Sequence, residues 1–177
     1  MKKHNNTLAG TKRLVLSAIL AAISFVFMYL GTLTGVMDLC AVVVGALCCA
    51  FAVIEMGGIW PWMIWAVSGV LCLVFLPDKF CALEYIALGG LYPILKSLFE
   101  KLPTVISWIL KAVSLNLMLT LCLFVAKYLF GISDEWVAFN LLVYLLANAF
   151  FLLFDYALTV FISYYMIKLR HRFKIKL

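Results

Sequence analysis

Charged residues are scarce in this 177-residue sequence: Asp, Glu, Lys and Arg make up only 12% of it, whereas 67% is apolar. An ordinary soluble domain is about 25% charged and about 45–50% apolar. The mean hydropathy of +1.15 therefore indicates an integral membrane protein. Because one span needs roughly 20 apolar residues, six spans would take about 120 residues. We expect no soluble catalytic domain in the remainder.

Catalytic and nucleotide-binding motifs are also missing. The sequence contains neither a G-x-G-x-x-G nor a P-loop pattern, and no H-E-x-x-H or G-x-S-x-G motif. Histidine occurs only at His4 and His171, in the two tails, and no zinc-ligand spacing is present. We therefore expect no enzymatic activity, no metal and no cofactor. Any energy source must be an ion gradient or another subunit.

Apolar runs divide the chain into six predicted spans within one membrane domain, residues 1–177. The spans cover about residues 14–30, 39–54, 60–76, 81–95, 104–130 and 136–167. Two glycines and two threonines in residues 31–35 favour a turn after the first span. The fourth run is short and contains Gly89 and Gly90, which would leave backbone accessible, so this run is either a tilted helix or a re-entrant one. The predicted fold is an all-α bundle of six transmembrane helices.

The distribution of charge predicts the orientation of these spans. Basic residues are concentrated in the two tails, and Lys96 and Lys101 lie in the connection after the fourth span. The alternate loops contain the acidic residues Asp38, Asp78, Asp134 and Glu135. Cytoplasmic loops carry an excess of Lys and Arg, so both termini are predicted to be cytoplasmic. The net charge of +6 is then a topology signal and does not indicate nucleic-acid binding.

A polar stripe in the last span is predicted to bind a ligand or to hold the bundle together. Its members, Trp136, Asn140, Tyr144 and Asn148, recur every four residues and so lie nearly along one helix face. Amides and aromatic rings offer hydrogen bonds and stacking planes to a planar organic ligand. Hydrogen bonding between helices is the alternative role.

Polar residues of the fourth and fifth spans are placed to converge with this stripe on an outward-opening pocket. Glu84 and Tyr85 lie about one turn below the predicted outer loop, and Tyr92 lies two turns beyond Glu84. The fifth span contributes Asn116, Thr120 and Lys127. Glu84 and Lys127 could instead pair with each other or extend to the interface. The predicted substrate-binding residues are Glu84, Tyr85, Trp136, Asn140, Tyr144 and Asn148.

Two further charged residues lie inside predicted spans, where an isolated charge is costly. Lys111 and Asp155 are expected at similar depths, nearer the inner side. A structural ion pair between them is the favoured interpretation, and a proton relay is the alternative.

The first span begins Thr11-Lys-Arg-Leu-Val-Leu-Ser-Ala-Ile-Leu-Ala-Ala22 and places Ala18 and Ala22 four residues apart. Such a strip lets another helix approach closely, and internal packing within the chain would use it equally well. The chain is also small and has six predicted spans and basic tails. Together with this segment, these features make it resemble the substrate-binding S components of energy-coupling-factor (ECF) transporters.

The resemblance implies a function and partners. Ala18 and Ala22 would dock onto a transmembrane T component that is energised by two separate ATPase subunits. A vitamin-like organic solute would bind near the outer face of the bacterial plasma membrane. A small membrane scaffold of the cell-shape and wall-synthesis (MreD-like) type, without transport activity, is the competing hypothesis.

Overall fold

The computed structural model describes residues 2–35, 37–128, 131 and 141–169. This part of the chain is helical and contains no β-strand. Its α-helices are α1 (Lys2–Thr34), α2 (Asp38–Glu55), α3 (Trp60–Phe75), α4 (Lys79–Glu84), α5 (Tyr92–Phe99), α6 (Thr104–Tyr128) and α7 (Leu141–Tyr164). Two π-helices, π1 (Tyr85–Leu91) and π2 (Tyr165–Leu169), continue α4 and α7. The predicted all-α class is confirmed.

Four helices are long and apolar enough to cross a membrane. They comprise residues Gly10–Thr34 of α1, all of α2, all of α6, and Leu141–Lys168. Helix α3 is apolar but shorter. The chain is therefore an α-helical membrane protein. The number of six spans and the cytoplasmic termini remain predictions.

The predicted turn at Gly31 is wrong, because α1 continues to Thr34. The Thr32 and Thr34 hydroxyls donate to carbonyls of the preceding turn at 3.0 and 2.6 Å, so both residues fit the helix. A Cβ on Gly31 would lie 2.5 Å from the Cβ of Ala41. The glycine thus allows α2 to pack closely on α1, and the chain reverses at Gly35, whose φ is +64°.

Residues 79–99 form one continuous helical segment, in which π1 separates α4 from α5. Within π1, a Cβ on Gly89 would lie 2.6 Å from the Tyr85 ring, and Gly90 is covered by the Trp65 ring. The prediction that these glycines leave backbone accessible is therefore wrong. They instead allow aromatic rings to pack directly on the helix backbone.

Helix α2 is central and contacts α1, α3, residues 79–99 and α7, whereas α6 packs on residues 79–99 and α7. The alternating helix directions give the bundle two chemically different ends. We call the end with Arg13 and Lys101 the basic end, and the end with Asp38 and Asp78 the acidic end. Glu55 also lies at the basic end. At the basic end, the Tyr165 hydroxyl donates to Glu55 at 3.0 Å and joins π2 to α2.

Candidate functional site

A cavity of about 410 Å³ lies between α2, residues 79–99, α6 and α7. It occupies the half of the bundle nearer the acidic end. Its walls are almost entirely apolar. The lining residues are Leu39, Phe80, Glu84, Ala87, Leu88, Leu115, Met118, Leu119, Cys122, Leu123, Val143, Leu146, Ala147 and Phe150.

Glu84 supplies the carboxylate of this cavity. Its side chain is partly buried, and within the described part of the chain it accepts no hydrogen bond and forms no ion pair. In particular, it does not pair with Lys127, whose Nζ lies 5.9 Å from the Tyr128 ring centroid. The pairing alternative for Glu84 and Lys127 is therefore wrong. A partly buried carboxylate without a partner is energetically costly, so Glu84 is the chemically distinctive group of the cavity.

Tyr85 does not join Glu84 in the cavity lining. It is completely buried in the core formed by α1, α2, α3 and α4. Its hydroxyl forms a hydrogen bond of 2.6 Å with the hydroxyl of Ser68 on α3. Tyr85 thus anchors π1 to α3.

The described part of the polar stripe, Tyr144 and Asn148, faces α6. The side-chain amides of Asn148 and Asn116 hydrogen-bond reciprocally at 3.1 and 3.2 Å. The hydroxyls of Tyr144 and Thr120 lie 3.0 Å apart. These contacts bring Asn116 and Thr120 of the fifth span to the stripe as predicted, but neither Tyr144 nor Asn148 lines the cavity. The other stripe residues, Trp136 and Asn140, lie outside the described residues.

A second polar site surrounds Asp155, of which only 3% is exposed. Lys111 Nζ donates to its carboxylate oxygens at 3.1 and 3.3 Å, so the predicted ion pair is confirmed. Lys96 Nζ also donates to this carboxylate, and to the Asp155 carbonyl at 3.0 Å. The Tyr92 hydroxyl donates to the same carboxylate.

The positions predicted for Lys96 and Tyr92 are therefore wrong. Lys96 is almost completely buried in α5 and does not lie in an exposed connection. Tyr92 contacts Asp155 and not an outer pocket. The i, i+4 spacing of Tyr92, Lys96 and Glu100 places all three on one helix face, and this spacing is the sequence signal that could have identified the cluster.

Glu100 completes the ion cluster at the basic end. Its Oε1 lies 3.5 Å from Lys96 Nζ and 3.6 Å from Lys111 Nζ. The Glu100 side chain is 45% exposed. Two ammonium groups are thus balanced by two carboxylates, which permits both lysines to be buried. We name this set, Tyr92, Lys96, Glu100, Lys111 and Asp155, the Asp155 cluster.

The two alanines predicted to dock a partner lie on an exposed face of α1. Ala18 and Ala22 are exposed, whereas the adjacent Ser17 and Ala21 are buried inside the chain. Internal packing of Ala18 and Ala22 is therefore contradicted within the described residues. The face that they occupy is apolar and also exposes Val15.

The described residues contain no group of His, Cys, Asp and Glu that could hold a metal ion. All six cysteines are free, and four of them are buried, at Cys49, Cys72, Cys81 and Cys122. Comparison of the chain with protein-family models, with curated proteins and with solved structures yields no match.

Proposed function

We propose that this chain is the substrate-binding subunit of an ECF-type importer for a small, vitamin-like organic solute in the bacterial plasma membrane. The observation that carries the proposal is the cavity of about 410 Å³ between four helical segments. Ligand sites typically have volumes of about 300–1,000 Å³, with apolar walls and few polar groups. The cavity has this character, with Glu84 as its carboxylate.

The exposed position of Ala18 and Ala22 supports the coupling part of the proposal. Small side chains allow the backbones of two transmembrane helices to approach closely. A T component docked on this face would connect the chain to two ATPase subunits. In this proposal the chain performs no chemistry and binds no cofactor.

The Asp155 cluster has a positioning role in the proposed function. It joins three elements, α5, α6 and α7, near the basic end. Helices α6 and α7 and the adjoining π1 also form walls of the cavity. Fixing them at one end holds the cavity open at the other, so the solute enters a preformed site.

Native mass spectrometry of the full chain, purified from its own membranes in mild detergent, tests the proposal. We expect the wild-type protein to carry a small organic molecule. Ala147→Phe should abolish this occupancy, because Ala147 lines the cavity. Ala157→Phe is the matched control on an exposed face of the same helix and should retain the molecule.

Two outcomes contradict the proposal. One is an empty wild-type protein, and the other is equal occupancy in wild-type protein and Ala147→Phe. An empty protein that co-purifies with wall-synthesis proteins would support the scaffold hypothesis instead.

A further inference from the structure

We infer that the solute held by the cavity is an organic cation, an apolar molecule with a protonated amine or quaternary ammonium group. This inference rests on the proposed function and specifies the chemical class of its solute. It is drawn from the charge, aromatic groups and shape of the acidic-end half of the bundle.

Glu84 has neither a hydrogen bond nor an ion pair among the described residues. It lines the cavity next to Phe80, Ala87 and Leu88, which offer it no donor. Removing a carboxylate from water without a partner is strongly unfavourable. A bound ammonium group would supply the missing partner through a charge-assisted hydrogen bond.

Two further carboxylates, Asp38 and Asp78, lie at the acidic end of the bundle. Asp38 and Asp78 are close enough to Glu84 to act on it electrostatically. The Oδ1 of Asp38 is buried and has no hydrogen-bond partner among the described residues. Carboxylates near a low-dielectric cavity attract cations and repel anions.

The nearby ammonium group of Lys79 is engaged elsewhere. Its Nζ donates to the carbonyls of Leu73 and Leu76 at 2.9 and 2.8 Å, at the C-terminal end of α3. Lys79 therefore stabilises a helix end, where a positive charge is favourable. It does not supply a donor to Glu84.

Aromatic side chains form part of the cavity walls. Phe80 and Phe150 both line the cavity. Aromatic faces attract organic cations, and quaternary ammonium ligands are commonly bound by such rings. The remaining walls are aliphatic and suit the apolar body of the same molecule.

Three probes that share one hydrocarbon cage test the inference. They are 1-aminoadamantane, which is cationic at neutral pH, neutral 1-adamantanol and anionic adamantane-1-carboxylate. Binding is measured by equilibrium dialysis against the full chain in lipid nanodiscs, and the uptake by empty nanodiscs is subtracted. We expect the amine to bind at least about ten-fold more tightly than the alcohol, and the carboxylate to bind most weakly.

Glu84→Gln should lower the affinity for the amine by about ten-fold and leave the affinity for the alcohol within about two-fold. Glu55→Gln, at the basic end, should preserve the preference for the amine. The order of the three probes in wild-type protein is decisive even where Glu84→Gln fails to fold.

The outcomes separate the inference from the proposed function. Equal binding of the amine and the alcohol, abolished by Ala147→Phe, would overturn the cationic class while leaving a solute-binding cavity. Tighter binding of the carboxylate would overturn it in the same way. A protein that binds none of the probes and is empty in native mass spectrometry would contradict both.

Discussion

Lys111 Nζ lies 3.1 Å from Oδ2 of Asp155, although both side chains are almost fully buried and 44 residues separate them in the chain. Lys96 contacts the same carboxylate from a third element, α5. One carboxylate thus contacts ammonium groups of two separate helical segments. The arrangement makes Asp155 the residue on which the burial of both lysines depends.

Asp155→Asn should destabilise the protein by about 3–5 kcal/mol, because it leaves two buried ammonium groups with only the half-exposed Glu100 as an anionic partner. Thermal and chemical unfolding in detergent measure this loss. Glu100→Gln is the matched control and should cost about 1 kcal/mol or less, since its carboxylate is 45% exposed. Unchanged stability of Asp155→Asn together with lost transport would favour the proton-relay hypothesis.

The reciprocal amide pair of Asn116 and Asn148 gives the second prediction. Each Asn→Ala replacement leaves the other amide without its partner, and the double-mutant cycle should give a coupling energy of about 0.6–1.7 kcal/mol. Affinity for 1-aminoadamantane should be unchanged, since Asn148 does not line the cavity. Ser114→Ala is a suitable control, because the Ser114 hydroxyl bonds only within its own helix. Loss of affinity in Asn148→Ala without loss of stability would instead support the predicted role of Asn148 in substrate binding.

The contact between Gly45 and Tyr85 gives the third prediction. A Cβ on Gly45 would overlap the Tyr85 ring, whereas a Cβ on Gly10 would meet nothing within 4 Å. Gly45→Ala should therefore cost about 1–3 kcal/mol, and Gly10→Ala should not destabilise the protein. Tyr85→Leu in the Gly45→Ala background should recover part of the loss in an unfolding assay. Full stability of Gly45→Ala alone would contradict the close packing of these two residues.

The sequence predicts the helical class and the Lys111–Asp155 pair because both follow from local rules. Apolar runs define helices, and a charge inside a span is costly, so an opposite charge at a similar depth is its expected partner. Both residues were recognisable from their positions within apolar runs. The amide pair of Asn116 and Asn148 and the hydroxyl pair of Thr120 and Tyr144 agree with the convergence of the fifth and last spans that the same periodicity predicts.

The burial of Lys96, the close packing at two glycines and the cavity depend on tertiary contacts that the sequence does not show. Lys96 follows an apolar run, so its position in the sequence matches that of a topology signal. Only the position of Asp155 in space shows that Lys96 is buried. Gly31 and Gly89 resemble turn or flexible residues in sequence, whereas in the bundle they allow close approach of a helix and of a ring. Apart from Glu84, the cavity is lined by apolar side chains that the sequence does not distinguish from core residues.

The charge asymmetry of the bundle predicts its orientation, with the basic end in the cytoplasm. In a variant whose six native cysteines are replaced, Pro77→Cys should react with a membrane-impermeant maleimide in intact cells. Lys101→Cys should react only after permeabilisation. Both positions are exposed, at opposite ends of residues 79–99. Reaction of both cysteines in intact cells would mean that this segment does not cross the membrane.

The exposed strip of Ala18 and Ala22 gives the last prediction, which concerns energy coupling. Replacing both by Leu adds bulk to a face that must approach another helix closely. We expect this variant to lose association with a co-expressed T component and its ATPases in affinity purification. Its affinity for 1-aminoadamantane should be nearly unchanged, because the described residues that line the cavity include none from α1.

Ala66→Leu combined with Ala157→Leu is the matched control, since both alanines are exposed on other helices. This control should retain the complex. Association that survives the Ala18 and Ala22 replacements would move the docking surface to another face of the bundle. If the variant loses both association and probe binding, the added bulk disturbs the fold itself, because α1 packs on α2 and α3. This outcome would contradict docking through the strip.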